Sequence, residues 1–342
     1  MNNAGLEIKI EFIVGLLDVV LDELKQYNNI NIIKTEEDCI YFEFIEDFSL
    51  LNNLRSVLRV FIIARNDKYN PYYLSNHKSI IGDIIAMIKK DNEDFETFKI
   101  ICAGAGSLEV RSIADYIQET YRLTEEEDDS DMKIHIVKRG YTWEIGIQTT
   151  KVPLSVRSYR VENMDGAMNP TIAYALNSLC NLENTNSYLN VFSGSATLLI
   201  EAGQCYPGIK QLVGFDNSKE NLTLAMKNIK EAGLIRKIRL KEADIFDKPE
   251  LGGFDVICSD LPFGMLISKF EDLESLYRCF IDYAQDVLND KGTLAIYTSK
   301  GEIIKKVITQ SDFKIVKKIN LKFITNADVY LYPTIFICRL KN

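Results

Sequence analysis

The sequence predicts an α/β carboxyl-terminal domain built on a mostly parallel sheet, preceded by two smaller α+β domains. Three observations carry this. From Tyr188 onward, short apolar runs alternate with stretches of helical periodicity, the pattern of a parallel sheet covered on both faces. The last two apolar runs leave no room for a helix between them, which implies an antiparallel hairpin at one edge. The first part of the chain instead opens with the order β-α-β-β-α-β. At 342 residues the chain is too long for one small core, so two or three domains are expected.

In the amino-terminal part, Ile8 to Phe12 reads as a strand and Val14 to Tyr27 as a helix. Asn31 to Ile33 and Cys39 to Phe44 read as paired strands, and Leu50 to Leu58 as a helix. The order is the ferredoxin-like one. A second unit follows, with helices at Ser79 to Lys90 and Ser107 to Arg122 and a strand at Phe98 to Ala103. A hairpin is expected from Lys133 to Lys138 and Thr142 to Thr149, turning at Arg139-Gly140-Tyr141. Boundaries are placed near residues 70 and 165, giving domains 1–70, 71–165 and 166–342.

In the carboxyl-terminal part, strands are expected at Tyr188 to Ser193, Gln211 to Asp216, Ile238 to Leu240, Phe254 to Ser259 and Thr293 to Tyr297. Helices are expected at Thr197 to Cys205, from Ser218 as cap to about Ala232 with Gly233 beyond, at Leu273 to Leu288, and at Glu302 to Thr309. Phe313 to Leu321 and Pro333 to Arg339 complete the sheet.

The ends of these strands carry the chemistry. Gly194-Ser195-Ala196-Thr197 follows the first strand, and a turn of small residues there lets a ligand approach the backbone. Asp216 ends the second strand, twenty-two residues after Gly194, where it can accept hydrogen bonds from ribose hydroxyls or cap the next helix. Asp244 follows the third, where it can meet an adenine amine with Ile245 against the ring, or cap a short turn. The fourth ends in Ser259-Asp260-Leu261-Pro262-Phe263-Gly264. There an acid can accept from an exocyclic amine, a proline fixes the turn, and a phenyl ring can stack on a base. The alternative is a strand-end turn with a buried phenylalanine.

Composition narrows the class. No run of eighteen apolar residues exists, so no membrane span is expected, and the first residues lack the pattern of a signal peptide. Seven scattered cysteines without a C-x-x-C pair fit a reducing cytoplasmic setting rather than a thiolate metal site. Only His77 and His135 are present, which argues against a histidine-based metal site or nucleophile triad. The net charge of −9 falls to −3 without the acidic run Glu125, Glu126, Glu127, Asp128, Asp129 and Asp131, so local basic surface is not excluded.

The ordered motifs carry a resemblance. Asn190-Val191-Phe192-Ser193-Gly194-Ser195-Ala196-Thr197-Leu198-Leu199-Ile200-Glu201-Ala202 resembles the D-P-F-C-G-S-G-T-x-x-I-E-A of class I S-adenosylmethionine-dependent methyltransferases that act on amines. Asp260-Leu261-Pro262-Phe263-Gly264 resembles their D-x-P-F/Y-G. Leu154-Ser155-Val156-Arg157-Ser158-Tyr159-Arg160 is similar to the L-x-x-R-G-Y-R that follows a THUMP domain, and Asn169-Pro170-Thr171-Ile172-Ala173 resembles the helix leading into the catalytic domain. The likeness covers almost the whole chain and points to the THUMP-domain tRNA guanine-N2 methyltransferases.

This resemblance implies a Rossmann-like, seven-stranded class I methyltransferase domain behind ferredoxin-like and THUMP RNA-binding domains. It implies S-adenosyl-L-methionine as cofactor, held by Asn190, Phe192, Gly194, Ser195, Ala196, Thr197, Asp216, Asn217, Asp244, Ile245 and Asp260. Asp260, Leu261, Pro262 and Phe263 would orient the acceptor amine, and Arg157 and Arg160 would contact RNA phosphate. The chain departs from the pattern at Asn190, where the family has an acid, and at Ala196, where it has glycine. Asparagine keeps hydrogen bonding but loses charge, and a methyl at Ala196 is expected to narrow the approach to the cofactor. Three other readings are a ribosomal or adenine-N6 enzyme, an RNA-binding protein with a decayed catalytic domain, and a nicotinamide-dependent oxidoreductase. The last lacks its G-x-G-x-x-G run.

Overall fold

The computed structural model describes residues 6–91, 94–104, 106–263, 270–324 and 329–341. Its contacts divide the chain into two units: residues 1–12 with 20–154, and residues 13–19 with 155–342.

Along the chain the first elements are β1 (Leu6–Phe12), α1 (Leu17–Leu24), β2 (Ile30–Thr35), β3 (Cys39–Phe44) and β4 (Val57–Asn66). They continue with α2 (Leu74–Asp91), β5 (Thr97–Cys102), α3 (Leu108–Tyr121), β6 (Thr124–Glu125), β7 (Met132–Arg139) and β8 (Thr142–Gln148). The helix expected at 50–58 is only a 3-10 turn, Phe48–Asn53, capped by Asp47. The β-branched and aromatic run from Val57 enters β4 instead, a strand in which Val57 and the consecutive residues Val60–Ala64 are all buried. All eight strands form one sheet in the order β2-β3-β1-β4-β8-β7-β5-β6. The pairing of β4 with β8 joins the halves expected to separate near residue 70.

The second unit contains α4 (Pro170–Ser178), β9 (Ser187–Val191), α5 (Thr197–Cys205), β10 (Gln211–Asp216), α6 (Lys219–Glu231), β11 (Ile238–Glu242) and β12 (Phe254–Asp260). It continues with α7 (Phe270–Val287), β13 (Leu288–Thr298), α8 (Gly301–Thr309), β14 (Phe313–Asn320), β15 (Phe323–Ile324), β16 (Tyr330–Leu331) and β17 (Thr334–Leu340). Its main sheet has seven strands in the order β11-β10-β9-β12-β13-β17-β14. The first five are parallel, and β17 is antiparallel to both β13 and β14. The expected edge hairpin is therefore folded in, with β17 inserted between β13 and β14. Residues 155–165, expected in the middle domain, belong to this unit.

Burial explains the helices. On α7, Leu273, Leu276, Tyr277, Phe280, Ile281 and Ala284 recur at helical spacing and join Phe215, Phe254 and Ile257 in one core. Among the described residues, no helix is long and apolar enough to cross a membrane.

Candidate active site

The chain leaves β9 outward to β10 and β11, and leaves β12 outward to β13. Strands β9 and β12 are neighbours, with Asn190 beside Cys258 and Val191 beside Ser259. Their carboxyl ends therefore flank a topological switch point, where sheets of this kind open a crevice. A cavity of about 240 Å3 lies there. Its walls are the segment Met164–Met168, the turn after β9, Asp216, Asn221 and the run Asp260–Phe263. Three carboxylates line it, those of Asp165, Asp216 and Asp260, and no lysine, arginine or histidine among the described residues does.

The turn after β9 is unusual backbone. Phe192, Gly194 and Ala196 have φ of 56°, 47° and 62°, all left-handed. At Gly194 a Cβ would come within 2.8 Å of the Met164 Cε, so the position has no room for a side chain while Met164 lies there. Ala196 is fully buried and outside the cavity lining, so its methyl does not narrow the approach as expected. The Phe192 ring lines the cavity and packs against Phe280, with centroids 6.0 Å apart.

Asp216 braces this turn. Its Oδ2 accepts from the Gly194 N–H at 2.9 Å, and its Oδ1 from the Ser218 N–H at 3.0 Å and the Asn221 amide at 3.3 Å. Capping of α6 falls to Ser218, whose Oγ accepts from the Asn221 N–H at 3.2 Å. Asn190 is buried, and its amide donates to the carbonyls of Val191 at 3.1 Å and Cys258 at 2.9 Å. Among the described residues, its Oδ1 and the Ser193 Oγ are buried without a partner. Both residues line the cavity, so unused acceptors stand at its wall.

The third strand end is arranged differently from expectation. Asp244 caps a 3-10 turn, accepting from the Phe246 N–H at 3.0 Å, and its other oxygen accepts from the Asn217 amide at 3.3 Å. The capping alternative is thus realised, and Asn217 and Asp244 pair with each other outside the cavity lining. Ile245 is buried in the same core cluster as Phe215 and Tyr283 and lies outside the cavity lining, rather than facing a ligand there.

At the fourth strand end the expected residues come together. Asp260, Leu261, Pro262 and Phe263 all line the cavity. The Asp260 Oδ1 is buried with no hydrogen-bond partner among the described residues, and burial holds the carboxyl well above the usual carboxylate range. The Leu261 N–H donates to the Tyr297 carbonyl at 2.9 Å, and the Tyr277 hydroxyl donates to the Pro262 carbonyl at 2.8 Å. Phe263 meets Tyr297 edge-on at 6.0 Å. Gly264 lies outside the described residues.

The two arginines part ways. The Arg157 Nε donates to Glu201 on α5 at 3.0 Å, and the Tyr159 hydroxyl donates to the same oxygen at 2.8 Å. Glu201 is fully buried and the Arg157 side chain nearly so, at 11% exposure. A charged carboxylate taken out of water is stabilised by a cation, so Arg157, paired with Glu201, is an internal partner and not the surface phosphate ligand expected. Arg160 is half-buried, with its Nε lacking a partner among the described residues.

Three contributors escaped the sequence reading: the segment Met164–Met168, Asn221 and Tyr277. The first is held to α6 by Asn228, which accepts from the Glu162 N–H at 3.0 Å and donates to its carbonyl at 3.2 Å. The turn-forming run Asp165-Gly166 just before the capping Asn169 was the available signal.

A parallel sheet reversed at one edge, with a strained small-residue turn and an unpartnered acid at its switch point, defines a Rossmann-like domain of the class I methyltransferase architecture. Residues 157–327, half of the chain, match the family UPF0020, described as "RMKL-like, methyltransferase domain", and the chain belongs to that family. It is 26% identical to the U6 snRNA (guanine-N(2))-methyltransferase THUMPD2 of Bos taurus, over 64% of this chain and 44% of that protein. It is 25% identical to the tRNA (guanine(6)-N2)-methyltransferase of Thermus thermophilus, over 58% of this chain and 59% of that one. The chain spans less than half the length of the THUMPD2 relatives it matches. The fold is similar to that of TrmN from Thermus thermophilus, with a TM-score of 0.80 and 20% identity, over 98% of this chain and 99% of that one.

Proposed function

We propose that this chain transfers a methyl group from S-adenosyl-L-methionine to an exocyclic amine of an RNA base, with guanine N2 in tRNA as the favoured target. One observation carries the reading: a cleft at the switch point with three carboxylates and no cationic side chain among its described lining. Such a cleft suits a cationic ligand and opposes the pyrophosphate of a dinucleotide. When bound, the cofactor supplies an electrophilic methyl on a sulfonium centre.

The chain's own residues would do the rest. The Gly194 turn lets a ligand lie against the backbone, and the Asn190 Oδ1 and Ser193 Oγ offer acceptors to its ammonium end. Asp216 would accept from ribose hydroxyls at the valence its three present bonds leave open. Asn217 and Asp244 would flank the base at the rim. The lone pair of a base amine is delocalised into its ring. Asp260 and the Leu261 carbonyl would hold both amine hydrogens and so aim nitrogen density at the methyl. Phe263 would stack on a base that is unpaired or flipped out. Arg160 would contact RNA phosphate.

The guanine choice rests on Asp260 in place of the Asn of adenine-directed relatives. It is also supported by the THUMPD2 proteins and the Thermus thermophilus tRNA enzyme above, whose names carry guanine-N2 methylation. We assign the part of the first unit before about residue 70 as ferredoxin-like and its remainder, to residue 154, as a THUMP-like RNA-binding part, and the setting as cytoplasmic. All seven cysteines are free thiols, which fits a reducing compartment.

The test is mass spectrometry of nucleosides from RNA pools incubated with the protein and isotopically labelled cofactor. Labelled N2-methylguanosine is the expected product. Labelled N6-methyladenosine would overturn the guanine assignment, and absence of any label would overturn the enzyme.

A further inference from the structure

We propose that Tyr277 is a positioning residue for the Asp260–Phe263 turn, fixing the Pro262 carbonyl so that the Phe263 ring faces the incoming base. This rests on reading the site as one for base-amine methylation.

Tyr277 sits on the buried face of α7 and is fully enclosed, at a spacing that packing alone would satisfy with phenylalanine. Its hydroxyl nevertheless reaches the Pro262 carbonyl at 2.8 Å and the Thr298 Oγ1 at 3.0 Å. Thr298 is also fully buried, and its Oγ1 accepts from the Lys300 N–H at 3.0 Å. Donor chemistry sets the direction. A carbonyl only accepts, so the single Tyr277 hydrogen goes to Pro262, and the Thr298 hydrogen must go to the Tyr277 oxygen. The bonds therefore run one way, from Lys300 through Thr298 and Tyr277 to Pro262. Burial foremost, against the hydrogen bond from Thr298, pushes the Tyr277 hydroxyl up to about 12, so it remains a donor at neutral pH.

Proline has no N–H, so the carbonyl is the polar handle by which the Pro262 backbone can be held. The residue before it is held through its own N–H, which donates to the Tyr297 carbonyl. The Leu261 carbonyl between these two anchors accepts no hydrogen bond from the described residues. Turning the Pro262–Phe263 peptide would swing the phenyl ring out of place, and the Tyr277 bond to the Pro262 carbonyl opposes that turn.

Tyr277→Phe removes only the hydroxyl. The expected result is a kcat for RNA methylation lowered about 10- to 100-fold, the range for a reacting group displaced by a fraction of an ångström. The cofactor Kd by calorimetry should stay within about twofold, because no cofactor contact is lost. Thr298→Val should lower kcat less, Thr298→Ser should restore it, and Tyr277→Phe with Thr298→Val should be no slower than Tyr277→Phe alone. A Tyr277→Phe protein with unaltered kcat overturns the inference. So does one whose cofactor affinity falls in step with its rate, since that marks a general structural role. If the unaltered protein methylates no base amine, the reading of the site fails and this inference falls with it.

Discussion

Asn190 ties β9 to β12: its amide donates at 2.9 Å to the carbonyl of Cys258, two residues before Asp260. The same amide reaches the Val191 carbonyl at 3.1 Å. The acid of the family pattern would set a carboxylate oxygen against those two carbonyls at this site. Asn190→Asp is therefore expected to destabilise the protein by about 1–3 kcal/mol, the penalty for an unsatisfied buried group. It should weaken cofactor binding despite the added negative charge. Thermal melts and calorimetry would check this, and tighter cofactor binding by the variant would show that charge outweighs the strand tie.

Asp260 sets activity against stability. Its carboxyl holds its proton more firmly in the fold than in the unfolded chain, because burial disfavours the charged form. The group thus favours folding below its unfolded pKa of about 3.9, and this contribution is lost as pH rises through the raised folded value. Asp260→Asn should raise Tm at neutral pH, with the gain shrinking as pH falls toward 4. Asp260→Ala should keep cofactor binding and lose methyl transfer by roughly 100-fold or more. An Asp260→Ala protein of undiminished rate would exclude the carboxylate from orienting the amine.

Much of the second unit was legible because its signals are local. Helix α5 (Thr197–Cys205) and strand β10 (Gln211–Asp216) fall where periodicity and strand-end residues place them, and Ser218 and Gly233 bound α6 as caps should. The candidate site was legible at Gly194, Asp216 and Asp260 for the same reason: Asp216 and Asp260 end β10 and β12, and Gly194 lies in the turn after β9. Long-range partners were not. Arg157 looks like a surface cation until Glu201, forty-four residues on, buries it. Tyr277 looks like plain core until Pro262 and Thr298 are brought to its hydroxyl. The apolar run at Val57 defeats the helix expected over residues 50–58 because β1 and β8 wait on either side of β4.

The two arginines should separate in experiment. Arg157→Ala removes the cation beside a fully buried carboxylate, and breaking such a pair costs about 3–5 kcal/mol. Its signature is a large fall in Tm, with cofactor and RNA affinity lost together. Arg160→Ala should leave Tm nearly unchanged and reduce the salt dependence of RNA binding by about one phosphate contact. Filter binding across a salt series distinguishes the two. An Arg157→Ala protein that melts normally and only loses salt-dependent RNA binding would return Arg157 to the surface role.

Ala196 offers the converse test, a change toward the family pattern that should help. It occupies the left-handed region, with φ 62° and ψ 21°, directly before α5. An L-residue with a Cβ is strained there by about 1–2 kcal/mol relative to glycine. Ala196→Gly relieves that strain but enlarges the freedom of the unfolded chain by a part of the same amount. It also empties a buried methyl site, so the net gain should be below about 1 kcal/mol. Ala196 is buried and outside the cavity lining, so cofactor affinity should not change. A variant that binds cofactor much more tightly than the natural chain would mean that Ala196 does crowd the ligand.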